Sequence, residues 1–319
     1  MRRYVLITGL ALLSTMFATA MMPARAEDAG MPPDIAAKIK TFGRVINPPE
    51  VAAIYAPLQA REPYPGVKVT RDVKYGTADR NLLDVFTPEI AASPRPVLIF
   101  VHGGGFAAGN KHNAGAPFYD NIMLAAVKSG AVGVNITYRL APAYQWPAGA
   151  EDVGASVRWV VDHISAFGGD PSRIYLMGHS AGAVHVASFL AAFGPYAAKG
   201  TELAGAILVS GEYDLTALTP GAAEKAYFGE DTSQYRERSP LPGLLKSKVP
   251  LLVVNAELDP PTFIQQGEEL RDNLCKEGRC PTTLVLANHS HISELYAINT
   301  SDTVLWNSLS KFMQQAGAQ

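Results

Sequence analysis

The fold of this chain is decided by the stretch Arg173-Ile174-Tyr175-Leu176-Met177-Gly178-His179-Ser180-Ala181-Gly182. Its first half predicts a buried strand, and the apolar residues 184–193 that follow predict a helix. A serine between two glycines at a strand–turn–helix junction is typical of a nucleophile elbow, whereas a flexible surface loop would lack the flanking elements. The turn excludes bulk two residues before and two residues after Ser180, where Gly178 and Gly182 stand. We therefore expect Ser180 to present its hydroxyl group at the end of a central strand.

Short apolar runs alternate with helical patterns from residue 95 onward. Such runs, with apolar residues at successive positions, are typical of strands that helices cover on both faces. The predicted strands are residues 97–101, 131–136, 173–177, 205–210, 250–255 and 282–287, with helices over residues 147–167 and 302–315. Residues 67–75 and 82–86 are expected to add an antiparallel pair at one edge. The alternation predicts an α/β fold with a mostly parallel central sheet flanked by helices.

A second glycine-rich motif follows the first strong strand, in the order Val101-His102-Gly103-Gly104-Gly105-Phe106. Consecutive glycines allow backbone N–H groups to converge on one point. A hydroxyl nucleophile needs such donors for the oxyanion that forms when it attacks a carbonyl group. We expect the N–H groups of Gly104, Gly105 and Ala181 to form this oxyanion hole. Phosphate binding, another use of a glycine-rich turn, would need a Walker lysine–serine pair, which is absent here.

A serine nucleophile also needs a base, and the base needs a carboxylate that orients it. Asp259 follows the predicted strand 250–255 and stands at its carboxyl end. Asp214, after the preceding strand, is the rival, and Glu257 is a weaker one. Position in the chain favours Asp259 over a solvated loop carboxylate.

Only two of the seven histidines follow the candidate acid, and both stand after the last predicted strand. The other five lie in the glycine motifs, before the nucleophile or in the helix after it: His102, His179, His112, His163 and His185. Chain order does not separate His289 from His291. We prefer His291 as the base and keep His289 as the alternative.

The N-terminus has the pattern of an export signal over residues 1–26. Two arginines precede a largely apolar stretch, and residues 24–26 fit cleavage before Glu27. A retained membrane anchor is the rival interpretation, but threonines and a serine interrupt the stretch and the cleavage signal follows promptly. We therefore expect no stable membrane insertion after removal of the signal. Loss of three arginines moves the formal net charge from −2 to −5, which argues against a nucleic-acid partner. We expect a periplasmic or secreted protein with a single α/β domain over residues 27–319.

Two proline-rich segments, residues 27–66 and 215–248, depart from the strand–helix alternation. Both are candidates for a cap above the sheet, where loops decide substrate access, although plain surface packing is an equal alternative. Three aromatic residues, Phe106, Trp146 and Tyr213, are candidates for the wall of a substrate pocket, with core packing as the alternative reading of each.

The two cysteines, Cys275 and Cys280, stand close together after a predicted helix. In an oxidising compartment this spacing favours a small disulfide loop. A metal site would need further ligands at suitable spacing, and none is adjacent. Neither a metal ion nor an organic cofactor is expected.

Together, these motifs resemble the α/β-hydrolase superfamily, and more closely the esterases related to hormone-sensitive lipase and the carboxylesterase and formamidase-like group. The resemblance extends from about residue 67 to the C-terminus and is carried by residues 102–106, 138–142, 178–182, 259–261 and 291–293. It implies Ser180 as nucleophile, Asp259 as acid and His291 as base, because in relatives an apolar or aromatic residue and then Ser or Asp follow the base. The doubled histidine departs from the family pattern and leaves His289 open.

The resemblance implies a serine carboxylic-ester hydrolase that acts on small acyl or aryl esters through an acyl-enzyme. The same residues would also serve amide chemistry, as in an arylformamidase. A third hypothesis is a non-catalytic ligand receptor on a hydrolase scaffold, and that hypothesis predicts a broken triad.

Overall fold

A computed structural model describes Met1 and residues 30–90, 94–191 and 203–316. Apart from Met1, the predicted export signal lies outside these described residues. Among the helices of the described ranges, none combines the length and the apolar character that a bilayer crossing requires.

One mixed sheet organises the described part of the chain. Its strands are β1 (Val67–Lys74), β2 (Leu82–Pro88), β3 (Arg95–Val101), β4 (Val132–Ile136), β5 (Gly169–His179), β6 (Leu203–Val209), β7 (Leu251–Leu258) and β8 (Thr282–Ser290). They lie in the order β1-β2-β4-β3-β5-β6-β7-β8. The pairs β1–β2 and β2–β4 are antiparallel, and the other pairs are parallel. The predicted α/β fold and its antiparallel edge are confirmed.

Helices cover both faces of this sheet. They are α1 (Pro33–Phe42), α2 (Pro48–Tyr55), α3 (Asp120–Lys128), α4 (Ala148–His163), α5 (Ala181–Leu190), α6 (Ala222–Phe228), α7 (Tyr235–Arg238), α8 (Leu241–Leu244), α9 (Pro261–Lys276), α10 (Ser293–Tyr296) and α11 (Val304–Ala316). Successive residues of a strand point to opposite faces, so β3 divides its side chains between two cores. Leu98 and Phe100 belong to the core with α1, α3 and α11. Val97 and Ile99 belong to the core with α4, α5 and α9.

The parallel strands bring their carboxyl ends to one edge of the sheet, and the candidate functional residues follow those ends. Segment 30–66 contains α1 and α2, and segment 215–248 contains α6, α7 and α8. A disulfide joins Cys275, in the last turn of α9, to Cys280 in the connection to β8. This connection leads into the strand that carries His289 and ends directly before His291.

Candidate active site

Ser180 occupies a strained turn between β5 and α5. Its backbone has φ 54° and ψ −125°, a conformation that residues with side chains rarely adopt. A Cβ atom added to Gly178 would lie 2.4 Å from the Gly182 carbonyl oxygen, and one added to Gly182 would lie 2.2 Å from the Val101 carbonyl oxygen. The Ser180 N–H donates to the Val209 carbonyl oxygen at 2.9 Å, which fixes the turn to β6. The two glycines are therefore required by close backbone contact, as the motif predicts.

Asp259 lies directly after β7 and is fully buried. Its Oδ1 atom is 2.8 Å from His291 Nδ1, and its Oδ2 atom accepts hydrogen bonds from Ser210 Oγ at 2.6 Å and the Ala256 N–H at 2.9 Å. Burial acts to raise the pKa of Asp259, but the hydrogen bonds and the charge of His291 outweigh it and hold the pKa below its ordinary value. Asp259 is therefore an anion at neutral pH and orients the His291 ring through the Nδ1–H group.

His291 has one ring nitrogen bound and one free. Its ring lies between the rings of His179 and Phe263, with centroid distances of 4.7 and 4.5 Å. Its Nε2 atom is buried and forms no hydrogen bond with any described residue. In particular, it forms none with Ser180 Oγ. Both His291 and Ser180 line the same pocket. With Nδ1–H donated to Asp259, Nε2 carries the lone pair of the neutral ring and is available as a base.

His289, the alternative base, is fully committed to other contacts. Its Nε2 atom is 2.9 Å from Asp302 Oδ2, and its Nδ1 atom is 3.2 Å from Ser293 Oγ. His289 is not among the residues that line the pocket. The structure therefore separates the two histidines that chain order left equivalent.

The other two candidate acids serve their own loops. Asp214 Oδ1 accepts hydrogen bonds from the N–H and hydroxyl groups of Thr216. Glu257 Oε2 accepts from the Asn288 N–H at 2.6 Å. Asp259 is the carboxylate that the structure places on the His291 ring.

A pocket of about 600 Å³ opens beside Ser180. The three expected oxyanion donors, Gly104, Gly105 and Ala181, are in its wall. Tyr138 Oη donates to the His102 carbonyl oxygen at 2.9 Å and holds the glycine loop at its start. Both proline-rich segments also reach this wall, through Ile46, Pro48, Pro49, Ala52, Ala223 and Glu224.

Of the three aromatic residues expected in the pocket wall, the structure places only Phe106 there. Its ring stacks on Tyr227 at a centroid distance of 4.8 Å. Trp146 lies outside the wall because its backbone N–H binds the Tyr227 carbonyl oxygen and its ring lies under the Arg238 guanidinium group. Tyr213 is 1% exposed and packs into the core on the α4, α5 and α9 side of the sheet. The position of a residue near the end of a strand therefore does not determine whether its aromatic ring faces the pocket.

Glu294 and His179 form a buried layer beneath the His291–Asp259 pair. Glu294 Oε1 lies 3.2 Å from His179 Nε2, which also donates to the His291 carbonyl oxygen at 2.8 Å. Burial and then the charge of Asp259 raise the pKa of Glu294 well above its ordinary value, whereas burial lowers the pKa of His179 to about 3. Burial therefore disfavours the charged form of both side chains.

This layer also contains the one group of side chains in the described ranges with the spacing of metal ligands. Ligand atoms of His179, His291 and Glu294 lie within 4.8 Å of one another. His179 Nε2 is already bound to a carbonyl oxygen, and His291 Nδ1 is bound to Asp259. The observed hydrogen bonds thus use these groups to position the imidazole.

Sequence reasoning missed Ser210, Glu212 and Glu294. Ser210 holds the second oxygen of Asp259, and Glu212 lines the pocket. Glu294 stands in the otherwise mostly apolar run 292–298, and a lone charge in such a run is a sign of a buried polar contact. No comparable signal marks Ser210 or Glu212, because their roles depend on which elements meet at the end of β6.

Residues 83–274 match the BD-FAE family model. Among curated proteins, esterase LipQ of Mycobacterium tuberculosis is 35% identical over 210 residues, which cover 63% of this chain and 48% of LipQ. Carboxylesterase NlhH of the same species is 40% identical over 99 residues, which cover 31% of this chain and 30% of NlhH. The chain thus spans about half or less of the length of these relatives.

Solved structures show the same fold at low sequence identity. A bacterial heroin esterase aligns with a TM-score of 0.68 and 24% identity over 91% of this chain and 98% of that one. A truncated carbohydrate esterase from gut microbiota aligns with a TM-score of 0.68 and 18% identity over 82% of this chain and 99% of that one. Since the family model matches more than half of the residues, the chain belongs to the BD-FAE family and has the α/β-hydrolase fold.

Proposed function

We propose that this protein is a serine carboxylic-ester hydrolase that acts on small acyl or aryl esters. One observation carries the proposal: Asp259 holds His291 by Nδ1, Nε2 has no partner among the described residues, and His291 lines the same pocket as the strained Ser180. A base oriented by a carboxylate and placed beside a serine is the arrangement that activates a hydroxyl group.

In the first half of the reaction, Ser180 Oγ attacks the ester carbonyl carbon and its proton passes to His291 Nε2. The contact between these two atoms closes in the substrate complex, because such hydrogen bonds are commonly long or open in the free enzyme. The carbonyl oxygen becomes an oxyanion and binds the N–H groups of Gly104, Gly105 and Ala181. His291 then gives the proton to the departing alcohol, which leaves an acyl group on Ser180.

In the second half, a water molecule takes the place of the alcohol. His291 Nε2 removes its proton, the hydroxide attacks the acyl carbon, and the carboxylic acid leaves as Ser180 regains its proton. Asp259 remains an anion throughout and stabilises the imidazolium that forms twice in the cycle. No atom outside this chain, the ester and water is needed for these steps.

Pocket size and the names of relatives support small esters as substrates. A volume of about 600 Å³ lies in the range of pockets for small molecules. The two proline-rich segments that reach its wall would act as the cap that limits the length of the acyl chain. LipQ is named an esterase and NlhH a carboxylesterase, and both match this chain over part of their length.

The test is labelling with a fluorophosphonate probe followed by peptide mapping, beside a series of p-nitrophenyl esters of increasing acyl length. We expect label on Ser180, hydrolysis of short esters, and loss of both in Ser180→Ala. A folded protein whose Ser180 stays unlabelled and that hydrolyses no ester would point to a receptor on a hydrolase scaffold. Preferential hydrolysis of aryl formamides would instead point to the arylformamidase chemistry.

We propose also that the protein is exported. The support is the sequence pattern of residues 1–26, with a basic start, an apolar stretch and small residues before Glu27. Mass spectrometry of the protein recovered from its native cells should find Glu27 as the first residue. Recovery of the intact N-terminus would contradict this.

A further inference from the structure

The wall of the pocket contains a carboxyl group that the proposed mechanism does not use. Glu212 lines the same pocket as Ser180 and is only 7% exposed. Across the described ranges, no hydrogen bond or ion pair reaches its carboxyl group. Its carboxyl oxygens are not among the fully buried unpartnered atoms of the described residues, so they keep access to the pocket, whereas a carboxylate in so buried a residue normally has a counter-charge.

The backbone around Glu212 is fixed on both sides. The Ser210 N–H donates to the Val254 carbonyl oxygen at 2.9 Å. After Glu212, the N–H groups of Tyr213 and Asp214 both donate to Gln266 Oε1, at 2.6 and 2.7 Å. The fold therefore holds the carboxyl group at the pocket wall by contacts that do not involve the side chain itself.

A second carboxyl group, that of Glu224, lies in the same wall. Its Oε2 atom accepts from the Gly221 N–H at 2.7 Å at the start of α6. Burial and then the charge of Glu224 raise the pKa of Glu212 to about 8. In the described part of the chain, no lysine or arginine lines the pocket as a counter-charge to the two carboxyl groups.

The remaining wall suits an organic cation. Aromatic rings attract cations through their faces. Five aromatic residues line the pocket: Phe106, Phe118, Tyr119, Phe263 and Tyr296. Glu212 does not orient the proposed base, because Asp259 already holds His291 through Nδ1.

We propose that Glu212, with Glu224, forms a subsite for a cationic amine, so that the pocket selects esters whose acyl or alcohol part carries a positive charge. The inference rests on the proposed esterase function and adds its substrate class. A bound ammonium group would supply the counter-charge that no described residue of the pocket wall provides for Glu212. By the same reasoning, esters that carry a carboxylate should be poor substrates.

The experiment compares charged and neutral esters of the same shape. The substrates are acetates of trimethylammonio alcohols with two, three or four methylene groups, each with an isostere in which carbon replaces the nitrogen. Measurements are made at pH 8.5, where Glu212 is mostly ionised. The other titratable groups of the wall, which are common to all substrates, are Glu224, His179, His291, Tyr119 and Tyr296. We expect kcat/KM to be about tenfold higher for the cation in at least one pair.

Three variants locate the selectivity. Glu212→Gln should bring the ratio of cationic to neutral kcat/KM close to one, and Glu224→Gln should lower it by a smaller factor. Glu268→Gln, which changes an exposed carboxylate on α9, should leave the ratio as it is. The ratio in the unaltered protein does not depend on any variant folding correctly.

The outcomes separate this inference from the function on which it rests. A ratio near one at every spacer length, with the neutral esters hydrolysed and Ser180 labelled, overturns the subsite and leaves the esterase proposal standing. A cation preference that Glu212→Gln does not reduce also overturns it. If no ester is hydrolysed and Ser180 is not labelled, the esterase proposal fails and the subsite falls with it.

Discussion

Two histidine–aspartate pairs lie close together at the end of β8, and they use opposite ring nitrogens. His291 binds Asp259 through Nδ1 at 2.8 Å, whereas His289 binds Asp302 through Nε2 at 2.9 Å. All four residues are buried, so neither burial nor the identity of the partner distinguishes the pairs. What differs is the second nitrogen of each ring.

In His289 the second nitrogen contacts Ser293 Oγ, so the ring has no capacity left. In His291 the second nitrogen has no partner among the described residues, and the residue lines the pocket with Ser180. The His289–Asp302 pair therefore fastens the β8 end to the start of α11, and the His291–Asp259 pair is available for chemistry. Under the proposed function, the same two residue types serve for structure or for catalysis according to which nitrogen is left open.

The largest expected effect separates the two rings directly. Replacement of His291 by Gln should lower kcat/KM for p-nitrophenyl acetate by about 10⁴-fold, because Ser180 loses its base. Replacement of His289 by Gln should leave kcat/KM within about tenfold of the original value but lower the free energy of unfolding by about 1–3 kcal/mol, since Asp302 loses a buried donor. Steady-state kinetics and urea titration measure both quantities. An inactive His289 variant beside an active His291 variant would reverse the assignment.

A smaller contrast is expected between the two carboxylates. Asp259→Asn should lower kcat by about 10³–10⁴-fold, because an amide nitrogen facing Nδ1 favours the ring tautomer whose Nε2 carries the proton. Asp302→Asn should change kcat by no more than a few fold and cost about 1 kcal/mol of stability, because the amide oxygen still accepts from His289. Kinetics and urea unfolding of both variants provide the comparison. Equal losses of activity would show that the two pairs act as one unit.

Much of this arrangement could be predicted from the sequence, because local rules determine it. Ser180 and its two glycines are fixed by the steric demands of one turn, and Asp259 by its place after β7. Chain order then restricts the base to two residues. Each of these steps depends on contacts between neighbours or on the general order of a parallel sheet.

The remaining features depend on contacts between distant segments. That His289 is held at Nε2 depends on Asp302, which stands before another helix. The open carboxyl group of Glu212 depends on Gln266 in α9, whose side chain fixes the backbone after it. Trp146 and Tyr213 point away from the pocket because of partners on α6 and in the core. Motif spacing in a single sequence does not predict such contacts between distant residues.

Another buried histidine completes the series, because neither of its nitrogens has a hydrogen-bond partner among the residues that the structure describes. His185 on α5 is 1% exposed and packs against the rings of Phe106, Tyr138 and Tyr227 at centroid distances of 5.4, 4.5 and 5.0 Å. Burial, with a smaller contribution from His102, lowers the pKa of His185 to about 3. An unfolded histidine titrates near pH 6.5, so between about pH 3 and pH 6.5 the unfolded chain binds the extra proton. The contribution of the neutral His185 ring to the free energy of unfolding is therefore complete above about pH 6.5, and it is lost as the pH falls toward 3.

The smallest expected effect follows from this sign. Urea unfolding of His185→Leu between pH 4 and pH 6 should show a free energy that falls with decreasing pH less steeply than in the original protein, by about 1.4 kcal/mol per pH unit. Glu212 and Glu294 contribute in the opposite direction but equally to both proteins, so they cancel in the difference. Ser188→Ala, which removes a buried and unpartnered hydroxyl group from the same helix, should leave the slope unchanged. Identical slopes for the His185 variant and the original protein would mean that the ring is already charged or hydrated in the folded state. The lack of partners for the two ring nitrogens would then have no effect on how stability depends on pH.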